Sequence, residues 1–189
     1  MKVNSPDLSS ELQGYSRRLE ADLWGKCVSR GLLAGEVLPS SPDIDDAFVS
    51  LSPDYLADAI KEFNAYPEVV FAWAGFLGSA VAYLWDKDWE RYSPGSYAFY
   101  RGERGYDYMD EHILYDIIGY GQDSEEAKTL LEDMRYLSGH ALSFLLHDGL
   151  ESGTLQAYRG VVLTVEVMYR FGAALMLWRL GYRMHSHSF

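Results

Sequence analysis

The sequence predicts an all-α protein, a single-domain bundle of about six helices. Apolar residues recur at the three- and four-residue spacing of helices along most of the chain. No segment alternates apolar and polar residues over the length of a strand. The chain has 189 residues, and a chain of that size can bury about 70% of its unfolded surface. We therefore expect residues 1–189 to form one helical domain, with a frayed tail at 185–189.

The first part of the chain predicts helices separated by one loop. Ser5-Pro6-Asp7 is typical of a helix start, with Ser as N-cap, Pro in the first turn and an acid near the positive end of the helix. Gly25 is expected to end this helix. A short helix is expected over 26–34 and a loop over 35–51, which contains two prolines. The Ser-Pro-Asp triplet at 52–54 predicts the start of the next helix.

The second part of the chain predicts four further helices. Apolar spacing places them over 68–90, 107–119, 124–148 and 153–184. Between the first two lies a long loop near 91–106 that is rich in tyrosine, arginine and glycine. Short connections between the remaining helices favour a bundle in which neighbours along the chain pack together.

Polar residues mark the ends and faces of the last two helices. Asp123 and Glu126 have the spacing of a capping box, which predicts a helix start at this point. In the final helix Arg159, Glu166 and Arg170 fall within one narrow stripe, and Glu166 precedes Arg170 by the spacing that favours an ion pair. This pattern predicts one exposed stripe on a helix that is otherwise packed.

Residues 69–85 contain no charged side chain, and as a helix they would measure about 25 Å, the lower limit for crossing a membrane. The flanking residues are acidic, and no basic cluster is present to orient a membrane span. We interpret this helix as the centre of a soluble bundle, with no membrane partner. Its small residues would allow another helix, or a second copy of the chain, to approach closely: Ala74, Gly78 and Ala82.

Composition limits the classes of partner. Asp and Glu number 28 against 16 Lys and Arg, which gives a net charge of −12. That charge disfavours nucleic acids and anionic membranes and favours a basic partner. Cys27 is the only cysteine, so an internal disulfide and a cysteine zinc site are excluded. The first residues lack the apolar run of a signal peptide, and we expect a cytoplasmic location.

The loop near 91–106 has the composition of a binding surface. Tyrosine and arginine are enriched at the energetic centres of protein interfaces, and long loops are often functional. A second interpretation is that the loop is a lid whose rings cover the edge of the core. Under the first interpretation the binding residues are Tyr92, Tyr97, Phe99, Tyr100, Arg101, Arg104 and Tyr106.

The segment FLLHDG, residues 144–149, resembles the His-Asp motif of HD-domain metal phosphohydrolases. The resemblance implies a divalent metal held by this pair together with an earlier histidine and a later aspartate. The metal would activate water for attack on a phosphoester. No aspartate follows the pair in this chain, so the closing ligand has no counterpart. The candidate metal ligands are His112, Asp116, His147 and Asp148.

Three functions are therefore open at this level. The first is a binding module that uses its acidic surface and its Tyr/Arg-rich loop to hold a basic protein or a small molecule. The second is a metal-dependent phosphohydrolase, the only hypothesis that requires a cofactor. The third is a structural protein that assembles into a homo-oligomer through its small-residue stripe.

Overall fold

The computed structural model describes Leu12 and residues 14–184, and within them it contains helices and turns but no strand. The expected all-α bundle is confirmed. The expected start at Ser5-Pro6-Asp7 and the tail at 185–189 lie outside the described residues. The described part of the chain contains seven α-helices: α1 Tyr15–Ser29, α2 Pro42–Phe63, α3 Pro67–Tyr92, α4 Tyr97–Arg101, α5 Met109–Glu111, α6 Glu125–His147 and α7 Leu155–Arg179. A 3-10 turn, Tyr106–Tyr108, precedes α5, and a π-helical segment, His112–Ile117, follows it.

Helices α3 and α7 form the centre of the molecule and run antiparallel in close contact. A Cβ atom added to Gly172 would lie 1.8 Å from the carbonyl oxygen of Gly75, and one added to Gly78 would lie 1.9 Å from that of Tyr169. The Ser79 hydroxyl lies 3.0 Å from the Gly75 carbonyl oxygen and 2.9 Å from that of Gly172. Glycine is required here because the two backbones touch.

The small-residue stripe predicted on α3 is covered by the chain itself. Ala74 and Ala82 are buried, and Gly78 packs against the backbone of α7. The stripe therefore supplies an intramolecular contact. Because α7 covers this stripe, the stripe is not available to a second copy of the chain, and it no longer supports the self-assembly hypothesis.

Helices α3 and α7 are both long and apolar enough to cross a membrane by length and composition alone. In the most apolar window of each helix, 72% and 78% of the residues are buried by the rest of the chain. A helix that is apolar around its whole circumference is typically buried in the core of a protein, and the burial of α3 and α7 fits this pattern.

The helices α1, α2 and α6 pack around this central pair and are tied to α7 by polar contacts. The hydroxyls of Tyr15 and Thr164 are hydrogen-bonded at 2.8 Å, and the Tyr169 hydroxyl donates to the Ile44 carbonyl at 2.7 Å. The buried apolar side chains form one core cluster that includes residues of every long helix. The arrangement leaves the segment from Ser93 to Gln122 at the edge of the bundle.

Helix α2 differs from the sequence expectation. The loop expected over 35–51 ends at Ser41, and a continuous helix runs through Pro53. The Ser41-Pro42-Asp43 triplet is the true start, with Ser41 as the N-cap residue and Pro42 in the first turn. Ile44, Phe48, Leu51 and Tyr55 lie buried at three- and four-residue spacing, so tertiary burial holds the helix together across the internal proline.

Helix α1 also continues past its expected end. Gly25 lies inside the helix, which ends at Ser29, because Leu23 and Cys27 are buried on the same face. The short helix expected over 26–34 is therefore the end of α1 followed by a turn. Burial of one more helical turn outweighs the low helix propensity of a single glycine.

The caps of α6 and α7 are provided by hydroxyl side chains. The Ser124 hydroxyl accepts from the Ala127 amide at 3.2 Å, so the N-cap is Ser124 rather than Asp123. The third residue of the helix is then Ala127, which cannot complete the expected capping box. Thr154 caps α7 in the same way at 3.1 Å from the Ala157 amide. Helix α7 ends at Arg179, five residues before the expected end at 184.

The predicted exposed stripe of α7 is confirmed at Arg159 and Glu166, which are both exposed. Arg170, however, does not pair with Glu166. Its guanidinium lies 2.8 Å from the Glu20 carboxylate of α1. An ion pair between helices thus replaces the pair expected within one helix.

Candidate functional site

A cleft of about 630 Å³ opens at the edge of the bundle, between α4 with its following turn and the π-helical segment. Its volume lies within the range of small-molecule and peptide-side-chain pockets. Two further cavities measure about 300 and 210 Å³. The larger cleft lies within the stretch that the sequence singled out as a binding surface.

The π-helical segment gives the cleft its second wall. The Ile118 amide donates to the Ile113 carbonyl at 2.9 Å, five residues back along the chain. Ile113 and Leu114 point into the core, while Tyr115 and Asp116 line the cleft. Single π turns of this kind occur frequently at functional sites.

The tyrosine-rich segment is not one long loop. Helix α3 extends to Tyr92, and the five-residue helix α4 follows after Pro94 and Gly95. Tyr97 and Tyr100 are 4% and 1% exposed, so they anchor this segment to the core. These two tyrosines fit the second interpretation of the sequence, that of a packed lid, because their rings are buried against the core and are not open to solvent.

Hydrogen bonds fix this anchoring. The Tyr97 hydroxyl donates to the Asp58 carboxylate at 2.9 Å, and the Trp73 indole N–H donates to the Tyr106 carbonyl at 2.7 Å. The Tyr55 hydroxyl lies 3.4 Å from that of Tyr106. Burial, as the main cause, raises the pKa of Tyr97 and of Tyr106 well above the ordinary tyrosine value. These hydroxyls are therefore structural groups.

Of the predicted binding residues, Phe99 and Arg104 line the cleft. Phe99 is 43% exposed, and its ring lies 6.4 Å from that of half-buried Tyr92. Arg101 is the last residue of α4, and its guanidinium lies 3.6 Å from the Asp58 carboxylate of α2. The predicted set therefore divides into two groups: Phe99 and Arg104 are available to a ligand, and the others support them.

His112 lies in the cleft and bridges its two walls. Its Nδ1 lies 2.9 Å from Oδ2 of Asp116, and its Nε2 lies 2.9 Å from the carbonyl oxygen of Phe99. The ring packs against Gly102, where an added Cβ would lie 2.7 Å from a ring atom. Gly102 also has a φ of 81°, a conformation that favours glycine.

The four predicted metal ligands do not form one site: His112 contacts Asp116, whereas His147 and Asp148 have other partners. His147 bonds through Nδ1 to the Ser143 carbonyl at 2.6 Å, and Asp148 forms an ion pair with Arg18 at 2.7 Å. Both ring nitrogens of His112 are occupied. Across Leu12 and residues 14–184, no three His, Cys, Asp or Glu side chains are grouped so as to hold a metal ion. The HD-like pair is a short sequence resemblance. In the structure Asp148 pairs with Arg18 of α1, and His147 bonds to the backbone of its own helix.

The lining of the cleft is predominantly acidic. It contains the carboxylates of Glu103, Glu111 and Asp116 and the single guanidinium of Arg104. Arg104 lies 2.5 Å from the Glu111 carboxylate, and its guanidinium carbon lies 4.1 Å from the centre of the Tyr108 ring. The cleft therefore already holds one guanidinium between a carboxylate and an aromatic face.

Sequence reasoning missed the acidic half of this site. Glu103 lies within the tyrosine-rich segment and Glu111 five residues after it, and neither belongs to a known motif. The alternation of acids with Tyr and Arg between 103 and 111 was the available signal. It acquires meaning only when the turn after α4 brings Glu103 opposite the π-helical segment.

Fold and site together define the class: a helical bundle, built on two apolar central helices, with an acidic and aromatic cleft at one edge. No protein-family model, no curated protein and no solved structure matches the chain. The chemistry of the cleft is therefore the basis for a functional proposal.

Proposed function

We propose that this protein is a binding module that holds a positively charged group of its partner in the cleft between α4 and the π-helical segment. The observation that carries the proposal is the lining of the cleft, which combines three carboxylates with an exposed aromatic ring, Phe99. The net charge of −12 adds a long-range attraction that raises the association rate of a basic partner.

Arg104 indicates which cation fits. Its guanidinium is bound by the Glu111 carboxylate and the face of the Tyr108 ring, the two groups that recognise arginine side chains in general. The Arg104 and Glu111 side chains are 60% and 46% exposed. An exposed pair of this kind contributes only ~0–1 kcal/mol, so a ligand can replace it.

A second cation has acceptors of its own. The Asp116 side chain is 71% exposed, and Asp116 lines the same cleft as Phe99. Glu103 is exposed and forms no ion pair within the described part of the chain. The partner is thus either a basic protein segment that inserts an arginine or lysine, or a small cationic molecule.

Titration calorimetry with an octa-arginine peptide tests the proposal, with octa-glutamate as the probe of opposite charge. We expect saturable binding of octa-arginine that weakens with salt, and no binding of octa-glutamate. Phe99→Ala and Glu103→Gln should each weaken binding about tenfold, a loss of ~1.4 kcal/mol. Arginine amide distinguishes the two kinds of partner, because only a small-molecule site would bind it as tightly as the peptide.

Matched controls lie on α6, away from the cleft. Leu146→Ala removes an apolar side chain that is 70% exposed, and Glu132→Gln removes an exposed carboxylate. Both variants should bind octa-arginine as the unmodified protein does. Equal loss in the control and cleft variants would show non-specific attraction to the acidic surface and would overturn the proposed site.

A further inference from the structure

Arg104 is held by two groups that together suit an arginine side chain. Its Nη2 lies 2.5 Å from Oε2 of Glu111, and its guanidinium carbon lies 4.1 Å from the centre of the Tyr108 ring. A carboxylate that bonds to the guanidinium and an aromatic ring that meets its face use both the charge and the planar shape of the group. An ammonium has the charge but not the plane. Tyr108 and Glu111 therefore form a subsite that suits arginine better than lysine.

This Tyr108–Glu111 subsite is fixed to the core of the bundle. Its two residues are three positions apart, and between them lies Met109, which is fully buried. The 3-10 turn that carries Tyr108 is also held at its first residue, because the Trp73 indole N–H donates to the Tyr106 carbonyl at 2.7 Å. The subsite is thus formed before any ligand arrives.

Arg104, in contrast, lies in an exposed turn after α4. Its neighbours on either side, Gly102 and Gly105, have φ values of 81° and 90°. In the described part of the chain, no atom except those of its chain neighbours lies within 4 Å of a Cβ added to Gly105. The Arg104 side chain is 60% exposed. Its guanidinium can therefore leave the subsite by rotation of the side chain, with no rearrangement of the core.

We propose that Arg104 is an internal substitute for the ligand, and that an arginine side chain of the partner takes its place in the Tyr108–Glu111 subsite. The proposal rests on the function proposed above and makes it more specific, because it names a guanidinium as the group that is bound. The pair that must open is exposed, and exposed ion pairs contribute little to stability. Glu103 and Asp116 line the same cleft and can hold further cations of the partner.

An internal guanidinium competes with the ligand for the subsite. Because Arg104 is tethered in an adjoining turn, its effective concentration at the subsite is high. The apparent affinity for an arginine ligand is the intrinsic affinity multiplied by the fraction of molecules in which the subsite is empty. A change that weakens the hold on Arg104 should therefore tighten the binding of the ligand.

NMR of the full chain with ¹⁵N-labelled arginine observes the displacement directly, because unlabelled octa-arginine gives no signal. The Nε–H signal of Arg104 is assigned by its loss in Arg104→Lys. In the free protein we expect this signal to be shifted from the position of solvent-exposed arginines, since the Tyr108 ring lies against the guanidinium. Saturating octa-arginine should return it to that position. The signal of exposed Arg17 should not move, because α1 contributes no residue to the cleft. An Arg104 signal that is unchanged at saturation would overturn the proposal.

Arg104→Lys tests the competition without a change of net charge. An ammonium fits the subsite less well, so calorimetry should show octa-arginine binding about threefold more tightly, as expected for the loss of an exposed ion pair. Arg17→Lys is the matched control and should bind octa-arginine as the unmodified protein does. Equal or weaker binding by Arg104→Lys would show that Arg104 does not compete for the subsite.

Octa-lysine tests the class of ligand at equal charge. The unmodified protein should bind octa-arginine at least about fivefold more tightly than octa-lysine. Tyr108→Leu removes the aromatic face and should abolish this preference. Tyr158→Leu changes a tyrosine of similar exposure on α7, 43% against 48%, and should retain it. Equal binding of the two peptides by the unmodified protein would overturn the guanidinium subsite.

The same measurements separate this proposal from the function proposed above. If octa-arginine binds in the cleft but leaves the Arg104 signal unmoved, the subsite proposal fails and the binding function stands. If octa-arginine binds neither the unmodified protein nor Arg104→Lys, the binding function fails, and the subsite proposal fails with it.

Discussion

At the scale of single residues, burial decides which side chains can react or bind. Cys27 is fully buried on α1, although cysteines are often considered first as reactive groups. Burial, with a smaller contribution from the charge of Asp133, raises the pKa of the Cys27 thiol to about 12. The thiolate is the reactive form, so the structure removes Cys27 from the candidates for chemistry.

Cys27 should therefore resist alkylation in the folded protein. With a pKa of about 12, roughly one thiol in ten thousand is ionised at pH 8. We expect no labelling by iodoacetamide within about an hour at pH 8. In about 6 M guanidinium chloride, which unfolds the chain and exposes the thiol, we expect complete labelling. Mass spectrometry measures both. Rapid labelling of the native chain would contradict the burial of Cys27.

At the scale of elements, the contact between α3 and α7 holds the bundle together. Gly172 faces the Gly75 carbonyl, and Ser79 lies within hydrogen-bond distance of both of their carbonyl oxygens. Such an approach is possible only without side chains at the crossing point. The same feature explains why the apolar surface of both helices is shielded from solvent.

Gly172→Ala should strongly destabilise the protein. The added Cβ would lie 1.8 Å from a backbone oxygen of α3, so the two helices must separate. We expect a loss of about 3 kcal/mol in the free energy of unfolding, the upper part of the range for overpacked cores. Urea denaturation followed by circular dichroism measures it.

Gly139→Ala is the matched control on α6, since nothing lies within 4 Å of its added Cβ. It should leave stability unchanged or raise it by up to ~1 kcal/mol, because alanine favours a helix over glycine. A similar loss in both variants would contradict the close contact between α3 and α7.

At the scale of the whole molecule, the distribution of tyrosines links folding to pH. Burial is the largest cause of the raised pKa values of six tyrosines, and for two of these, Tyr15 and Tyr100, the pKa is raised to about 12. The other four are Tyr55, Tyr97, Tyr106 and Tyr169. In the unfolded chain tyrosines ionise near pH 10. Between these values the folded chain binds more protons than the unfolded chain.

Stability should therefore fall as pH rises through this window. The contribution of these neutral tyrosines is fully present below about pH 10 and is lost as pH rises towards 12. We expect absorbance at 295 nm to show at least six tyrosines un-ionised at pH 11 in the native protein, with a melting temperature that declines from pH 10 upwards. Ionisation of all fifteen tyrosines in one step near pH 10, with a native circular dichroism spectrum, would contradict the burial pattern.

The fold class could be read from the sequence because helical spacing reports the apolar face of each segment directly. The start of α2 shows the limit. Ser41-Pro42-Asp43 and the triplet at 52–54 have the same local signal, and only burial of Phe48 and Leu51 decides that the helix begins at the first. Propensity is weak compared with packing, so element ends were the least accurate part.

The sequence predicted where the candidate site lies along the chain, but not which residues line it. The tyrosine-rich segment does border the cleft, yet Tyr97 and Tyr100 belong to the core, and the carboxylates of Glu103 and Glu111 were not foreseen. Within the described residues the HD-like resemblance at residues 144–149 does not bring three ligands together, because proximity between the π-helical segment and α6 is not encoded in six residues.

The sequence by itself determined an all-α fold, an acidic molecule and two central apolar helices, since each is a property of composition or of local periodicity. The tertiary structure alone decided which tyrosines are buried, that His112 bridges Phe99 and Asp116, and that carboxylates from two segments share one cleft. The physical reason is that a contact between remote residues depends on how whole helix faces pack. A periodic pattern shows which face is apolar but not which neighbour will cover it.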